Sequence, residues 1–271
     1  MMQYDRFGSG EPLVLVHGVG HNRHAWDHLI PHLERYFDVI VVDLPGHGKS
    51  ESLDLNGRTV SEAFVDAFHE LFDYLGIDRP HVVGNSLGGR IALEMAARGE
   101  VRTATALSPA GFWQGAPEVA YVKSLFASVS FAARAAGPLA PIFMRSPLGA
   151  AALKVFLDQP GELSKDQITT MINGFVSAQP ALRAILSNAS NFDAPIPPEV
   201  AVTVAWGTND HVLPFKQAKR AKKQIPNGSH ITLKGCGHVP MSDAPDLIAH
   251  IILGTAAKRP SARYALAAAT A

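Results

Sequence analysis

The 271-residue sequence predicts an α/β protein: a mostly parallel central sheet with helices on both faces and a helical insertion. Three observations predict it. Short apolar runs alternate with amphipathic, helix-length segments through the first third of the chain and again from residue 200. The runs are β-branched and continuously apolar, as strands covered on both faces are. Between residues 112 and 191 the alternation stops and only helical, Ala- and Phe-rich pattern remains.

Residues 2–7 leave room for one strand. Residues 12–16 (PLVLV), 38–44 (DVIVVDL) and 81–84 (HVVG) read as buried strands, with helices between them over 25–36 and 60–76. In the second helix Phe64, Phe68, Leu71, Phe72 and Leu75 share a face, and Gly76 is a natural stop. A helix over 86–99 and a strand over 103–107 complete the next unit. After the stiff turn Ala194-Pro195-Ile196-Pro197-Pro198, strands at 200–206 and 230–233 alternate with helices at 215–224 and 242–253. Repeated β–α–β order implies parallel strands joined by right-handed crossovers. The expected organisation is a core domain of residues 1–111 and 192–271, interrupted by a helical cap of residues 112–191. The Ala-rich tail from residue 256 reads as frayed.

Composition narrows the function. Hydrophobic residues make up 47% and charged residues 18%, ample for a core. Lys plus Arg and Asp plus Glu number 24 each, a neutrality that argues against a nucleic-acid partner. A single cysteine, Cys236, permits no internal disulfide and fits a reducing compartment. No basic, apolar leader and no run of about 18 apolar residues is present, so a cytoplasmic protein without a membrane span is expected. Monomer and homodimer stay equally open.

The chemistry sits where predicted strands end. Gly84-Asn85-Ser86-Leu87-Gly88-Gly89 follows the strand HVV and opens a helix pattern. G-x-S-x-G in that context places a serine on a tight strand-to-helix turn, with small residues two before and two after leaving room for it. A nucleophilic serine needs a base, and the base an orienting acid. Asp210 follows the strand at 200–206, and His238, in Gly235-Cys236-Gly237-His238, follows the strand at 230–233. Both sit at carboxyl ends of strands, where open α/β sheets put functional groups. His17-Gly18-Val19-Gly20, after PLVLV, offers spread backbone amides for an oxyanion, with the amide of Leu87 as the second donor. Asp43-Leu44-Pro45-Gly46-His47-Gly48-Lys49-Ser50 reads as a bracing turn.

The succession HG, DLPGHGKS, GNSLGG, GTNDHVLP and GCGH resembles the α/β-hydrolase superfamily, in its small capped, esterase-like branch. The resemblance covers residues 11–108 and 200–253. It implies Ser86 as nucleophile, Asp210 as acid, His238 as base, and the Val19 and Leu87 amides as oxyanion hole, with no cofactor and no metal. Some members carry the acid after the strand that precedes the cap; here that place reads Leu107-Ser108-Pro109-Ala110-Gly111, so Asp210 stands alone. Asn before the serine also resembles hydrolases of carbon–carbon bonds in vinylogous diketones, although Val239, not Trp, follows His238. Perhydrolysis, acyl transfer and a non-enzymatic ligand-binding module complete the alternatives. The expected partner is a small apolar ester.

Other signals are weaker. GHGKS fails as a phosphate loop because Asp43 occupies the position of the first glycine. His21, His24, His28 and His32 recur at helical spacing and read as a solvated face; Lys216, Lys219, Arg220, Lys222 and Lys223 read as another. Cys236 has no base of its own. In the insertion, Trp113, Phe126, Phe143, Met171 and Phe175 are expected to line an apolar pocket over Ser86, with Phe112, Phe131 and Met144 as further candidates.

Overall fold

The computed structural model describes residues 1–144, 146–160 and 163–258. Seven strands form one sheet in the order β1-β3-β2-β4-β5-β6-β7. They are β1 (Tyr4–Gly8), β2 (Glu11–Val16), β3 (Phe37–Val42), β4 (His81–Asn85), β5 (Thr103–Leu107), β6 (Ala201–Gly207) and β7 (Ser229–Leu233). Only β1 runs antiparallel, paired with β3. Every other pairing is parallel.

Side-chain alternation along each strand divides the core in two. Val14, Val16, Ile40, Val42, Val82 and Ala104 face α2 (Val60–Leu75), α3 (Leu87–Ala97) and α9 (Lys216–Gln224). Leu13, Leu15, Val39, Val41 and Val83 face the other side, against Trp26, Leu29 and α11 (Pro245–Ala256). Most strand side chains on both faces are apolar, which is why most strands read as apolar runs; the buried exceptions are Asp38, His81, Asn85, Thr103, Thr105 and Thr203. Helix α2 begins with a reciprocal cap between Thr59 and Glu62 and ends at Gly76 in the left-handed region.

Two predicted helices are broken. Residues 25–36 form a 3₁₀ turn, Arg23–Trp26, and one turn of α1 (Ile30–Leu33). Pro31 opens α1 and cannot donate to a preceding turn. Residues 242–253 divide into α10 (Pro240–Asp243) and α11 because Pro245 pushes Ala244 to φ −147°. The tail from residue 259 lies outside the described residues.

Between β5 and β6 the described residues hold helices and no strand: α4 (Ala116–Ala136), α5 (Ala140–Met144), α6 (Pro147–Leu153), α7 (Lys165–Ser177) and α8 (Gln179–Ser187). The segment's ends meet. Phe192 N–H donates to Gly111 O at 2.8 Å, and Asn191 Oδ1 accepts the Trp113 N–H at 2.9 Å. Arg90 of α3 donates to the carbonyls of Ser190 and Asn191, and its guanidinium lies 5.3 Å from the Phe192 ring centroid. Farther out, Arg220 of α9 bridges Phe112 O and Glu118, so the basic run is only partly a solvated face. No described helix is long and apolar enough to cross a membrane.

Two glycines in helices respond oppositely to a methyl group. A Cβ at Gly88 would enter the backbone carbonyls of Val16 and His17, whereas one at exposed Gly254 meets nothing within 4 Å. Gly254→Ala is expected to raise stability by about 0.5–1 kcal/mol by restricting the unfolded chain. Gly88→Ala is expected to lower it by about 1–3 kcal/mol or prevent folding. Urea unfolding midpoints check both signs; equal shifts would refute the crowding at Gly88.

Candidate active site

β4 ends at Asn85, α3 begins at Leu87, and Ser86 makes the whole turn between them at φ 56°, ψ −112°. That left-handed backbone costs a side-chain-bearing residue about 1–3 kcal/mol. Glycine makes the turn possible: a Cβ at Gly84 would run into the Gly88 backbone. The loop after β2 crosses so closely that a Cβ on Gly18 would lie 3.2 Å from Ser86 Cβ. The turn is held by Ser86 N–H donating to Leu107 O at 2.9 Å and by Ser86 O accepting from Arg90 and Ala110 N–H, each at 3.0 Å. Leu87 opens α3, so its N–H has no carbonyl partner within the helix.

Asp210 and His238 meet at the ends of β6 and β7. His238 Nδ1 lies 2.9 Å from Asp210 Oδ2. Asp210 Oδ1 accepts the N–H groups of Val212 and Leu213 at 2.9 and 2.7 Å. Both side chains are buried, as is Ser86. The carboxylate only accepts, so the imidazole carries its proton on Nδ1 and leaves Nε2 as the acceptor. Asn85 Nδ2 spans from Leu107 O (3.1 Å) to His238 O (2.8 Å) and ties the serine turn to the histidine loop. Among the described residues Ser86 Oγ has no hydrogen-bond partner, but Ser86 and His238 line one cavity. Serine–histidine bonds are often long until substrate arrives.

Two supports of the histidine loop escaped sequence reasoning. Phe156 O, between α6 and α7, accepts both His238 N–H (2.8 Å) and Val239 N–H (3.0 Å). Asp243 accepts three backbone amides, from Asp158, Gln159 and Gly237, at 2.9, 3.1 and 2.7 Å. Burial raises the Asp243 carboxyl above the usual range while those amides pull it down. Its oxygens face backbone, not the imidazole, so it is a staple for this loop. The GCGH sequence prints only the need for space at Gly237, whose Cβ would approach Phe156 O and Leu157.

The other expected residues scatter. Trp113 lines a cavity of about 480 Å³ that reaches Ser86, Leu87 and Val19. Phe126 lines that cavity and a second of about 150 Å³, whose walls also hold Met144, Met171, Phe175 and His238. Phe143 is a correction: it is 43% exposed on a helix of five residues, too short for its pattern to tell which face turns inward. Phe131 is exposed, and Phe112 is buried against Phe192 and Trp206 instead. Cys236 is buried, and burial followed by Asp243 and Asp158 pushes its thiol up to about 11, far from a reactive thiolate.

Asp43 anchors the bracing turn: it accepts the N–H groups of Arg23 (2.8 Å) and Lys49 (2.9 Å) and pairs with the Arg23 guanidinium. His17 Nε2 accepts Leu44 N–H at 3.0 Å, and its ring stands 5.2 Å from that of His47. His24 and His28 are exposed, but His21 turns inward and lines the smaller cavity, contrary to a fully solvated face. Among the described residues no group of three or more His, Cys, Asp or Glu side chains is placed to hold a metal ion.

A family model described as the alpha/beta hydrolase family matches residues 13–251. Lipase 1 of Psychrobacter immobilis is 28% identical over 254 residues, 88% of this chain and 74% of its own. The 2-hydroxy-6-oxononadienedioate/2-hydroxy-6-oxononatrienedioate hydrolase of Paraburkholderia phymatum is 24% identical over 252 residues, 88% and 84% of the two chains. The crystal structure of the enol-lactonase from Burkholderia xenovorans LB400 superposes with a TM-score of 0.73 at 21% identity, covering 95% of this chain and 96% of that one.

The buried histidines beneath the site make stability depend on pH. Burial, above all, holds His47 down to about 4 and His17 well below its ordinary value. The unfolded chain takes up these protons below about pH 6.5, whereas folded His47 does not until near pH 4 and folded His17 resists protonation as well. Their contribution is therefore complete above pH 6.5 and is lost as pH falls toward 4, on the order of a few kcal/mol. Urea midpoints between pH 7.5 and 4.5 should fall, and His47→Asn should flatten the slope; an unaltered slope in the variant would refute this origin.

Proposed function

Because the chain belongs to the alpha/beta hydrolase family, we propose that it is a serine hydrolase cleaving carboxylic esters through an acyl-enzyme. Ser86 is the nucleophile, His238 the base and Asp210 its orienting acid. The observation that carries this reading is the 2.9 Å contact of Asp210 Oδ2 with His238 Nδ1, in a loop tied by Asn85 to the strained serine turn.

The steps follow from the atoms. Ser86 Oγ attacks the ester carbonyl carbon while His238 Nε2 takes its proton. Asp210, already holding two amides, stabilises the imidazolium without accepting its proton. The carbonyl oxygen becomes an oxyanion facing the Val19 and Leu87 N–H groups, which are aimed by backbone and need no reorganisation. As the carbon–oxygen bond to the alcohol breaks, His238 Nε2 returns the proton to the leaving oxygen. Water then enters by the same route and frees the acid. Residues 112–191 act as a cap, roofing Ser86 through Phe126, Met171 and Phe175. A dioate such as the Paraburkholderia relative is named for brings two carboxylates. Among the described residues the walls beside His238 contain no Arg or Lys to receive one, which favours a neutral group on the histidine side of the serine.

A fluorophosphonate should label Ser86 stoichiometrically, read by mass spectrometry of the digested protein. Ser86→Ala and His238→Ala should each lower turnover of p-nitrophenyl butyrate by about three to six decades, and the double variant hardly further. Asp210→Asn should cost about four decades. Near-normal turnover in Asp210→Asn, or labelling elsewhere than Ser86, would sink the assignment.

A further inference from the structure

Val19, Ser86 and Phe126 belong to the walls of both cavities that meet at the serine. Two of the groups that a tetrahedral intermediate needs lie one in each. Leu87, whose N–H faces the oxyanion in the reading above, lines only the cavity of about 480 Å³; His238 lines only the cavity of about 150 Å³. The larger one continues past Trp113 to the exposed side chains of Glu62, Arg98 and Asp193.

We propose that the smaller chamber receives the leaving alcohol and the larger one the acyl chain, so that the substrates are extended acyl esters of compact, neutral, apolar alcohols. The assignment rests on the ester reading and deepens it. When the carbon–oxygen bond breaks, the electron pair stays on the alcohol oxygen, which takes the proton held on His238 Nε2. That oxygen must lie on the histidine side, and its substituent has only the smaller chamber to enter. The acyl chain departs from the same carbon toward Leu87 and runs along the larger chamber.

The smaller chamber also fixes the alcohol's chemistry. Met144, Leu153, Phe156, Met171 and Phe175 form much of its wall. Among its described lining residues there is no Lys, Arg, Asp or Glu, so a charged group would be stripped of water without a partner. Apart from the serine turn and His238, its polar side chain is His21. His21 Nδ1 accepts Asn22 N–H at 3.0 Å, which leaves the proton on Nε2. Burial, with the neighbouring His24 and His47, holds the ring down to about 4, so it is neutral at working pH. An apolar cavity of roughly 150 Å³ accommodates a benzene-sized group. The larger chamber falls among ordinary ligand pockets, about 300–1,000 Å³.

Two ester series with alcohols of similar acidity test the assignment. Ethyl, butyl, benzyl and 2-naphthylmethyl acetates, with acetylcholine as the charged member, vary the alcohol. Benzyl esters of two-, six- and ten-carbon acids vary the acyl chain; release of acid is followed by pH-stat. In the wild type kcat/KM should peak at benzyl acetate, fall at least about tenfold for naphthylmethyl acetate and acetylcholine, and tolerate acyl lengthening. Met171→Ala should recover the naphthylmethyl ester about tenfold and leave the acyl profile unchanged. Trp113→Ala should move the acyl profile and leave the alcohol profile unchanged. Exchanged effects, or unchanged profiles in both variants while Ser86 is still labelled by fluorophosphonate, overturn the chamber assignment alone. Absence of labelling and of turnover in the wild type removes the ester reading beneath it.

Discussion

The site depends on one steric constraint: three backbone segments pass within contact distance of each other at Ser86. The loop after β2 lies on the serine, β4 delivers it, and α3 departs from it, with Gly18, Gly84 and Gly88 at the crossings. The left-handed turn costs about 1–3 kcal/mol. Burial of Ile91, Leu93 and Met95 on α3 contributes about 1.5–3 kcal/mol each, so the helix easily holds the turn in place. The same crossing brings the first residue of α3 and the loop after β2 to the wall of one cavity, through Leu87 and Val19. The strain and the proposed oxyanion site therefore have a single origin.

Carboxylates bonded to backbone amides recur around that point. Asp43, Asp210 and Asp243 each accept at least two N–H groups from loops with no regular partner of their own. They differ in the further partner: an arginine sharing Oδ2 with an amide at Asp43, an imidazole on the free oxygen of Asp210, and a third amide at Asp243. Identical chemistry thus supports a brace, the proposed orienting acid and a staple, and only geometry tells them apart.

The sheet and the candidate triad were legible because their demands are local. A turn made in one residue prints small neighbours at fixed offsets, and strands buried on both faces print unbroken apolar runs. The helices at 25–36 and 242–253 were overextended because apolar spacing continued across Pro31 and Pro245 while the backbone did not. The pocket was least legible. Which aromatic residue of the helical segment faces inward depends on partners distant in the chain: Phe126 stacks on Phe175, 49 positions away, at 6.0 Å, while Phe143 turns outward. The carbonyl of Phe156 and the amides around Asp243 left no trace, since backbone groups carry no residue identity.

The joined ends of the helical segment change what its length means. Gly111 and Phe192 are hydrogen-bonded neighbours, so about eighty residues leave and re-enter the sheet at nearly one place. For the strands on either side, that excursion imposes the same boundary condition as a hairpin of a few residues. The entropy of closing a loop grows only with the logarithm of its length, about 0.6 kcal/mol per doubling. Residues can be added to or removed from the roof at little thermodynamic penalty to the floor, provided that Arg90 still finds the two carbonyls at the junction. The architecture thus uncouples two parts of the chain: the walls around Ser86 can change in length and sequence without a matching change in the elements that hold it.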